Sequence, residues 1–579
     1  MKAGSAFMQC MILFCILYMP FCGKNNEFDI ETLQRQFTDL RFGMFLHFGI
    51  RTFTRGEWGE ANQDITRFNP EHLDCGQWAD AAVSAHMKFG ILTTKHHDGF
   101  CLWNSEYTDY DVASTPWENG EGDVLRAYVD AFRSRGLEPC FYYAIWDNTA
   151  GIGNGPVTED QMKIIEGQLT EILSNYGEIK MLFIDGWSWK MGHVEVPYPR
   201  IRKLVKSLQS SCLLIDNTHL PCLYDNDLIH YEAGGKCPPD NTLPALLSKL
   251  IYRQGGNGWF WDPDIPTASL MTPSAIQGDL EYLEPRWCSY ILNCPPNPEG
   301  LLDSNIVSRL AEAGQVWSPD PNRPPLPKQN PQIQTFIVPE SASATSGNAL
   351  GAIDGKNDRF YYSVWKSSKD LPQSLTVDLG RVHEVNIVYV VPNYVPMVRP
   401  LEQGSIQSYR LYSSQNGTDF TMITEGEWAS EPKMKVAAFG LTQARYIRLE
   451  ALSAVDDFAA VTEIAIGKGK TNSTAKVSSP HPALPAMIQN FPNPFNPQTA
   501  IQYTLNESDV HVQLCLFNMI GQRVRILVDE VQTAGSHLIY WNGTDQNGLL
   551  LENGIYEVRI LVSRKGRRFQ QSRKIIMLK

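Results

Sequence analysis

Between residues 37 and 316, short apolar runs alternate with amphipathic stretches of helical period, and this alternation admits few folds. Strand-like runs that each lead into a helix pack as a parallel sheet covered by helices. Eight runs stand out: Phe42 to Phe48, Phe89 to Thr94, Glu138 to Ala144, Lys180 to Ile184, Cys212 to Ile215, Leu228 to Tyr231, Asn257 to Phe260 and Cys288 to Leu292. Between them, Val124, Leu125, Tyr128, Val129 and Phe132 fall on one helical face, and Met162, Ile165, Leu169, Ile172 and Leu173 on another. Eight such units predict a (β/α)8 barrel of the TIM type, an α/β fold, over residues 23–318.

At 579 residues the chain exceeds what one core supports, so further domains are expected. Residues 1–22 carry Lys2 and then an apolar run, Met11 to Met19, too short to span a bilayer but suited to a secretory signal. Pro20 and Phe21 before Cys22 are poor for lipoprotein cleavage, so a secreted, periplasmic or cell-surface bacterial protein is expected. A Pro-rich stretch, 319–331, reads as a stiff linker. Residues 332–467 show period-two runs such as Ser374 to Leu379 and Tyr446 to Glu450, which predict an all-β sandwich. A second linker, 468–487, precedes a small β domain, 488–579, with Asn-Gly turns at Asn542, Asn547 and Asn553.

A net charge of -13 argues against a nucleic-acid partner, which needs a basic field to displace counterions, and suits an uncharged substrate. Of twelve cysteines, Cys10, Cys15 and Cys22 lie in the leader; the remaining nine include no C-x-x-C pair. Neither a zinc cage nor a full disulfide framework is expected, although Cys212 with Cys222, or Cys288 with Cys294, would pair if geometry allowed.

In a barrel of this kind the active site lies at the C-terminal ends of the strands. The residues that close the runs are polar, aromatic or acidic: His47, then His96, His97 and Asp98, then Tyr143 and Trp146, Asp185, Asp216 and Asn217, Glu232, Trp261 and Asp262, and Asn293. Such a mouth, with no phosphate-binding glycine loop, suits a polyhydroxylated neutral ligand, a sugar. No metal is expected there, because His96 and His97 are adjacent and would diverge on a continuing strand. Asp185 and Glu232, from different strands, could supply the two carboxylates of glycoside hydrolysis.

The segments Phe42 to Gly49, Glu57-Trp58-Gly59, Thr94 to Phe100, Phe141-Tyr142-Tyr143, Phe183 to Gly186 and Leu292 to Pro296 resemble glycoside hydrolase family 29, the α-L-fucosidases. The run Tyr107 to Ser114 looks like the branch acting on α-1,3/1,4-fucosides. The resemblance implies a retaining double displacement, with Asp185 as nucleophile and His47, Glu57, Trp58, His96, His97 and Tyr143 holding the sugar. No short motif fixes the acid/base; Glu232 is chosen from its place after strand six, with Glu195 as runner-up. Trp261, closing the seventh run, is expected to line the mouth. Ala144 and Phe183 depart from the commoner pattern, where Ser and Trp are frequent, and leave L-fucose against L-galactose open. An α-L-galactosidase and a barrel that only binds glycan are the alternatives.

The sandwich resembles the discoidin, or factor 5/8 type C, module in Ala352 to Gly355, Trp365, Leu375 to Gly380 and Ala444 to Leu449. That resemblance implies a glycan partner and a structural Ca2+ whose ligands the sequence does not assign; no cofactor is expected for catalysis. The last domain, from Gln489 to Pro497, through Phe517 to Gln522, to Asn553 to Tyr556, resembles the immunoglobulin-like C-terminal sorting domain of the type IX secretion system, and is also similar to the flagellar-hook-type domain.

Overall fold

The computed structural model describes residues 29–578 except 56–58, 154, 219, 221, 233–235, 253–257, 264–268, 357–362, 396–398, 401, 432, 471–485, 506–508, 520 and 565–566. The expected leader lies outside the described residues, as does most of the second linker. The chain divides into two compact units, Met1–Lys470 and Thr471–Lys579.

The first unit opens with eight parallel strands: β1 Phe42–Leu46, β2 Phe89–Lys95, β3 Glu138–Ala144, β4 Met181–Asp185, β5 Leu213–Asp216, β6 Ile229–Tyr231, β7 Ala245–Leu250 and β8 Cys288–Asn293. Their order is β5-β4-β3-β2-β1-β8-β7-β6, a nearly closed barrel. β5 and β6 share no ladder among the described residues, but the Asp227 N–H donates to the Leu214 carbonyl at 2.9 Å and the Asp227 carboxylate accepts the Leu214 N–H at 2.9 Å, joining the two edges. The seventh strand corrects the sequence reading. It is Ala245–Leu250, and the expected run ending at Phe260 lies in the connection that follows.

Side-chain parity organises the barrel, because successive strand residues face opposite sides. Phe45, Ile91, Cys140, Tyr142, Phe183, Ile215, Leu246 and Ile291 pack together inside, whereas Leu46, Leu92, Phe141, Tyr143, Leu182, Leu214, Leu247 and Leu292 join the core under the helices. Among the described residues the α-helices, in chain order, are α1 Ile30–Thr38, α2 Ile50–Thr54, α3 Cys75–Ser84, α4 Val124–Ser134, α5 Glu159–Asn175, α6 Tyr198–Leu208, α7 Pro273–Leu283 and α8 Ser304–Val316. α4 starts where the Asp123 side chain accepts the Arg126 N–H, and α5 where Thr158 and Gln161 cap each other. The buried residues of α4 are Val124, Leu125, Tyr128, Val129 and Phe132, as its period predicts. Each large apolar side chain there contributes roughly 1.5–3 kcal/mol over exposure, so Phe132→Ala is the change most damaging to this contact.

The Pro-rich stretch is no free spacer. Its Pro324 carbonyl accepts from the Trp287 indole at 3.0 Å, and Gln329 donates to the Thr242 carbonyl at 3.1 Å, so it is strapped along the barrel. Beyond it, Gln373–Val391 and Lys435–Ala454 form the long antiparallel centre of a seven-stranded sheet. Trp365, Leu375, Val377, Leu411, Ile447 and Leu449 lie buried in this domain's core, and Arg445 grips Asp378 through two bonds of 2.9 Å. The sandwich packs on the barrel along a seam. Leu220 and Cys222 bury against Val391, and Phe336 meets Tyr198 at 5.2 Å between ring centroids. At Gly355 (φ +62) an added Cβ would lie 2.4 Å from the His193 Cβ, so only glycine permits this approach.

The second unit is two antiparallel sheets, of three and four strands, closed over Phe495, Tyr503, Leu514, Trp541, Val558 and Ile560. Neither expected disulfide forms: Cys212, Cys222, Cys288 and Cys294 are free and buried, like the other cysteines among the described residues. Among those residues no helix is long and apolar enough to cross a membrane.

Candidate functional site

The C-terminal ends of β1 to β6 and β8 bring a cluster of aromatic and polar groups around Asp185. This residue ends β4 on the same side as Phe183, so parity aims its carboxylate into the barrel mouth. Oδ1 accepts three N–H groups: the Gly186 backbone at 2.7 Å, the Trp189 indole at 2.8 Å and the Asn217 amide at 3.3 Å. Oδ2 accepts the Tyr142 hydroxyl at 2.9 Å and faces His97 Nε2 at 3.6 Å. Burial alone would raise this carboxyl, but the His97 ring, the Trp189 indole and the Gly186 N–H outweigh it and hold it well below the usual carboxylate range. The chain can pass this point because residue 186 is glycine at φ +67; a Cβ there would lie 2.5 Å from the Trp146 Cβ and 3.1 Å from His97.

Three histidines and several rings surround the carboxylate. β2 ends at Lys95, so His96 and His97 lie beyond the strand and their rings sit 4.3 Å apart rather than diverging. His96 stacks on Tyr142 (5.7 Å, 10°), and Tyr142 stacks in turn on Phe183 (5.6 Å, 17°). His97 lies against Trp146 at 4.6 Å. His47, two residues beyond Phe45 on β1, lies 5.1 Å from the Trp259 ring and 5.4 Å from Phe260. Burial pushes the His47 imidazole down to about 3 and lowers His96 well below its usual value, so both rings are neutral near pH 7. Asn293 donates through Nδ2 to the Trp259 carbonyl at 2.8 Å, so its Oδ1 accepts His47 Nδ1–H at 2.8 Å, leaving Nε2 of a neutral His47 as an acceptor. Neutral imidazoles offer both a donor and an acceptor, which suits hydroxyl groups.

A hydrogen-bonded chain fixes Asn217 beside the carboxylate. Since its amide nitrogen donates to Asp185, its Oδ1 accepts from His230 Nδ1 at 2.8 Å, and His230 Nε2 accepts from the Ser248 hydroxyl at 2.9 Å. Glu232 directly follows β6, is half-buried, and its charge acts on the Tyr142 hydroxyl, the group that donates to Asp185. Glu195 is tied elsewhere, accepting the Val157 N–H at 3.0 Å.

At the site, Tyr143 departs from the sequence reading. Tyr143 faces outward: its hydroxyl donates to Gln168 at 2.8 Å and accepts from Lys95, which also binds Asp147 at 2.9 Å, all beneath α5. Its neighbour Tyr142 is the tyrosine at the mouth. Trp261 donates its indole N–H to Asp303 at 2.8 Å, while Trp259 and Phe260 are the rings that meet His47. Glu57 and Trp58 lie outside the described residues. Sequence reasoning missed Tyr142, Trp189, Trp259 and Phe260; strict period-two counting from Phe45 and Phe183 would have found the first.

Residues 20–318 match the α-L-fucosidase family, 338–464 the F5/8 type C domain, and 496–566 the FlgD Ig-like domain, a different description from the sorting domain expected of that region. Alpha-L-fucosidase 1 of Arabidopsis thaliana is 33% identical over 297 residues, 47% of this chain and 57% of its own length. The alpha-L-fucosidase of Dictyostelium discoideum is 23% identical over 403 residues, 60% of this chain and 85% of its own. Tissue alpha-L-fucosidase of Rattus norvegicus is 26% identical over 332 residues, 50% and 68% respectively. With its matched span taking in more than half of the sequence and its barrel mouth built around Asp185, the chain belongs to the α-L-fucosidase family.

Proposed function

We propose that the protein is a secreted, retaining exo-α-L-fucosidase that removes terminal α-L-fucosyl groups through a glycosyl-enzyme. The observation that carries this reading is the Asp185 carboxylate, kept ionised at the barrel mouth by five polar neighbours. Oδ1 is occupied by three N–H donors, so Oδ2, which accepts only the Tyr142 hydroxyl and faces His97, is the oxygen that attacks the anomeric carbon. As the C–O bond to the leaving group breaks, Glu232 donates its proton to the departing oxygen, then takes a proton from the water that hydrolyses the ester. His47, His96 and His97 bind the sugar hydroxyls, and the stacked Tyr142 and Phe183 present an apolar wall to one sugar face.

The test is sugar release by wild type and Asp185→Ala from an aryl α-L-fucoside, a Lewis-type branched trisaccharide and an aryl α-L-galactoside, with NMR of the first anomer formed. Release of α-L-fucose by wild type alone supports the reading, and preference for the branched trisaccharide supports the α-1,3/1,4 branch. Galactoside preference would move the assignment to an α-L-galactosidase, and binding without release to a lectin-like barrel.

For the sandwich the reading is a glycan-binding module with a hard cation. Glu463 is fully buried with Oε1 lacking a hydrogen-bond partner, the Asp354 charge acts on it, and Ser363 donates to Asp354. Such oxygen donors fit Ca2+, which would neutralise the two carboxylates and pin their segments. The C-terminal unit is read as a delivery domain for type IX export; deleting residues 488–579 then retains the enzyme inside the cell.

A further inference from the structure

A second group of ligating side chains lies behind the strand ends, on the outward face of β5. His193 Nε2 is 2.8 Å from Asp216 Oδ2 and 3.7 Å from Asp225 Oδ2, and the three ligating atoms all lie within 4.8 Å of one another. All three residues are buried, Asp216 and Asp225 completely. Asp225 Oδ2, which faces this group, has no hydrogen-bond partner. Burial pushes both carboxyls well above the usual range, helped by the Asp185 charge at Asp216 and by the Asp216 charge at Asp225, so protons occupy them until a cation displaces them. Ionising such a buried pair is costly, and a bound cation removes the cost.

We propose that His193, Asp216 and Asp225 bind one divalent first-row transition ion, Zn2+ or Mn2+. The donor set selects the ion class: an imidazole nitrogen with two carboxylates suits these metals, whereas Ca2+ and Mg2+ prefer oxygen alone. Bonds of about 2.0–2.2 Å in tetrahedral geometry place ligand atoms about 3.4 Å apart. The observed 2.8 and 3.7 Å bracket that spacing. Its donor set, with an imidazole, differs from the all-oxygen set at Asp354, Ser363 and Glu463.

The ion's role is positional. It ties the turn after β4, which carries Trp189, to the end of β5, which carries Asn217, and these are two of the three N–H donors on Asp185 Oδ1. The same turn meets the sandwich, where the His193 N–H donates to the Gly355 carbonyl at 3.3 Å. The site therefore clamps the nucleophile's donors to the seam without touching substrate.

The experiment uses the full mature chain. Protein stripped with chelator is incubated with ZnCl2 or MnCl2, desalted, and its Zn, Mn and Ca content measured by mass spectrometry. About one equivalent of Zn or Mn is expected in wild type, lost in both Asp225→Asn and His193→Ala, with any Ca2+ at the sandwich unchanged. Thermal unfolding of wild type should move upward on loading. X-ray absorption of loaded wild type should show one nitrogen and two carboxylate oxygens, which decides the matter even if a variant fails to fold. Wild type that retains neither ion, or retains it equally after Asp225→Asn, overturns the site and leaves shared protons holding the three residues together. Fucoside hydrolysis is measured separately, so failure here does not touch the enzymatic reading.

Discussion

Asp185 and Asp216 end neighbouring parallel strands, each beside a histidine, yet their surroundings drive them in opposite directions. Asp185 sits on the inward parity of β4 and is surrounded by donors, so its carboxyl is held low despite burial. Asp216 sits on the outward parity of β5; burial and the nearby Asp185 charge push its carboxyl well above the usual value, more than the donors around it offset. Asp216 is fully buried and Asp185 is partly exposed, and beyond that difference the balance between donors and neighbouring negative charge decides the outcome. One strand position thus separates a carboxylate ready for chemistry from a carboxyl that keeps its proton.

The comparison breaks most sharply on substitution. Asp185→Ala should lower aryl fucoside hydrolysis by at least about 10³-fold with little change in unfolding temperature. Asp216→Ala should instead cost about 1–3 kcal/mol of stability, read by chemical denaturation, because it strips a partner from buried His193. Glu232→Gln should reduce turnover of natural glycosides by about 10²–10⁴-fold, and that of activated aryl fucosides less, since only poor leaving groups need the proton.

The remaining predictions sharpen the donor argument. A lowered carboxyl contributes stability above the ordinary carboxylate range, and that contribution is lost only as pH falls through the lowered value. Trp189→Phe removes one donor and raises that value, so the acid limb of kcat/KM should move to higher pH. The paired tyrosines give the smallest effect. Tyr143→Phe should cost about 1–3 kcal/mol by leaving Lys95 and Gln168 short of a partner, with kcat/KM nearly unchanged. Tyr142→Phe should do the reverse.

Much of this was readable in the residues themselves. The period of α4 predicts its buried face residue by residue, that of α5 predicts its face except for the buried Gly167 and Gln168, and the motifs around His47, His96, His97 and Asp185 bring those side chains to one mouth. The failures have physical causes. Ala245 to Leu250 is a short run without alternation that periodicity does not distinguish from a helix, whereas the Trp and Phe after Gly258 imitate a strand. Tyr142 and Tyr143 are adjacent and chemically identical, and only the strand's phase decides which faces the mouth. Contacts between distant segments, such as Tyr142 on Asp185 or Gly355 against His193, leave no periodic trace in a single sequence.

The seam between barrel and sandwich bears on how such a protein meets polymeric substrate. A module on a loose tether raises the local concentration of substrate over a volume that grows with tether length. Here the strapped Pro-rich segment and the Gly355 approach abolish that freedom. If the sandwich grips glycan as proposed, the chain would reach the mouth at one fixed offset, and the molecule would work as a caliper in which branch spacing, rather than overall abundance of fucose, decides which residues are trimmed.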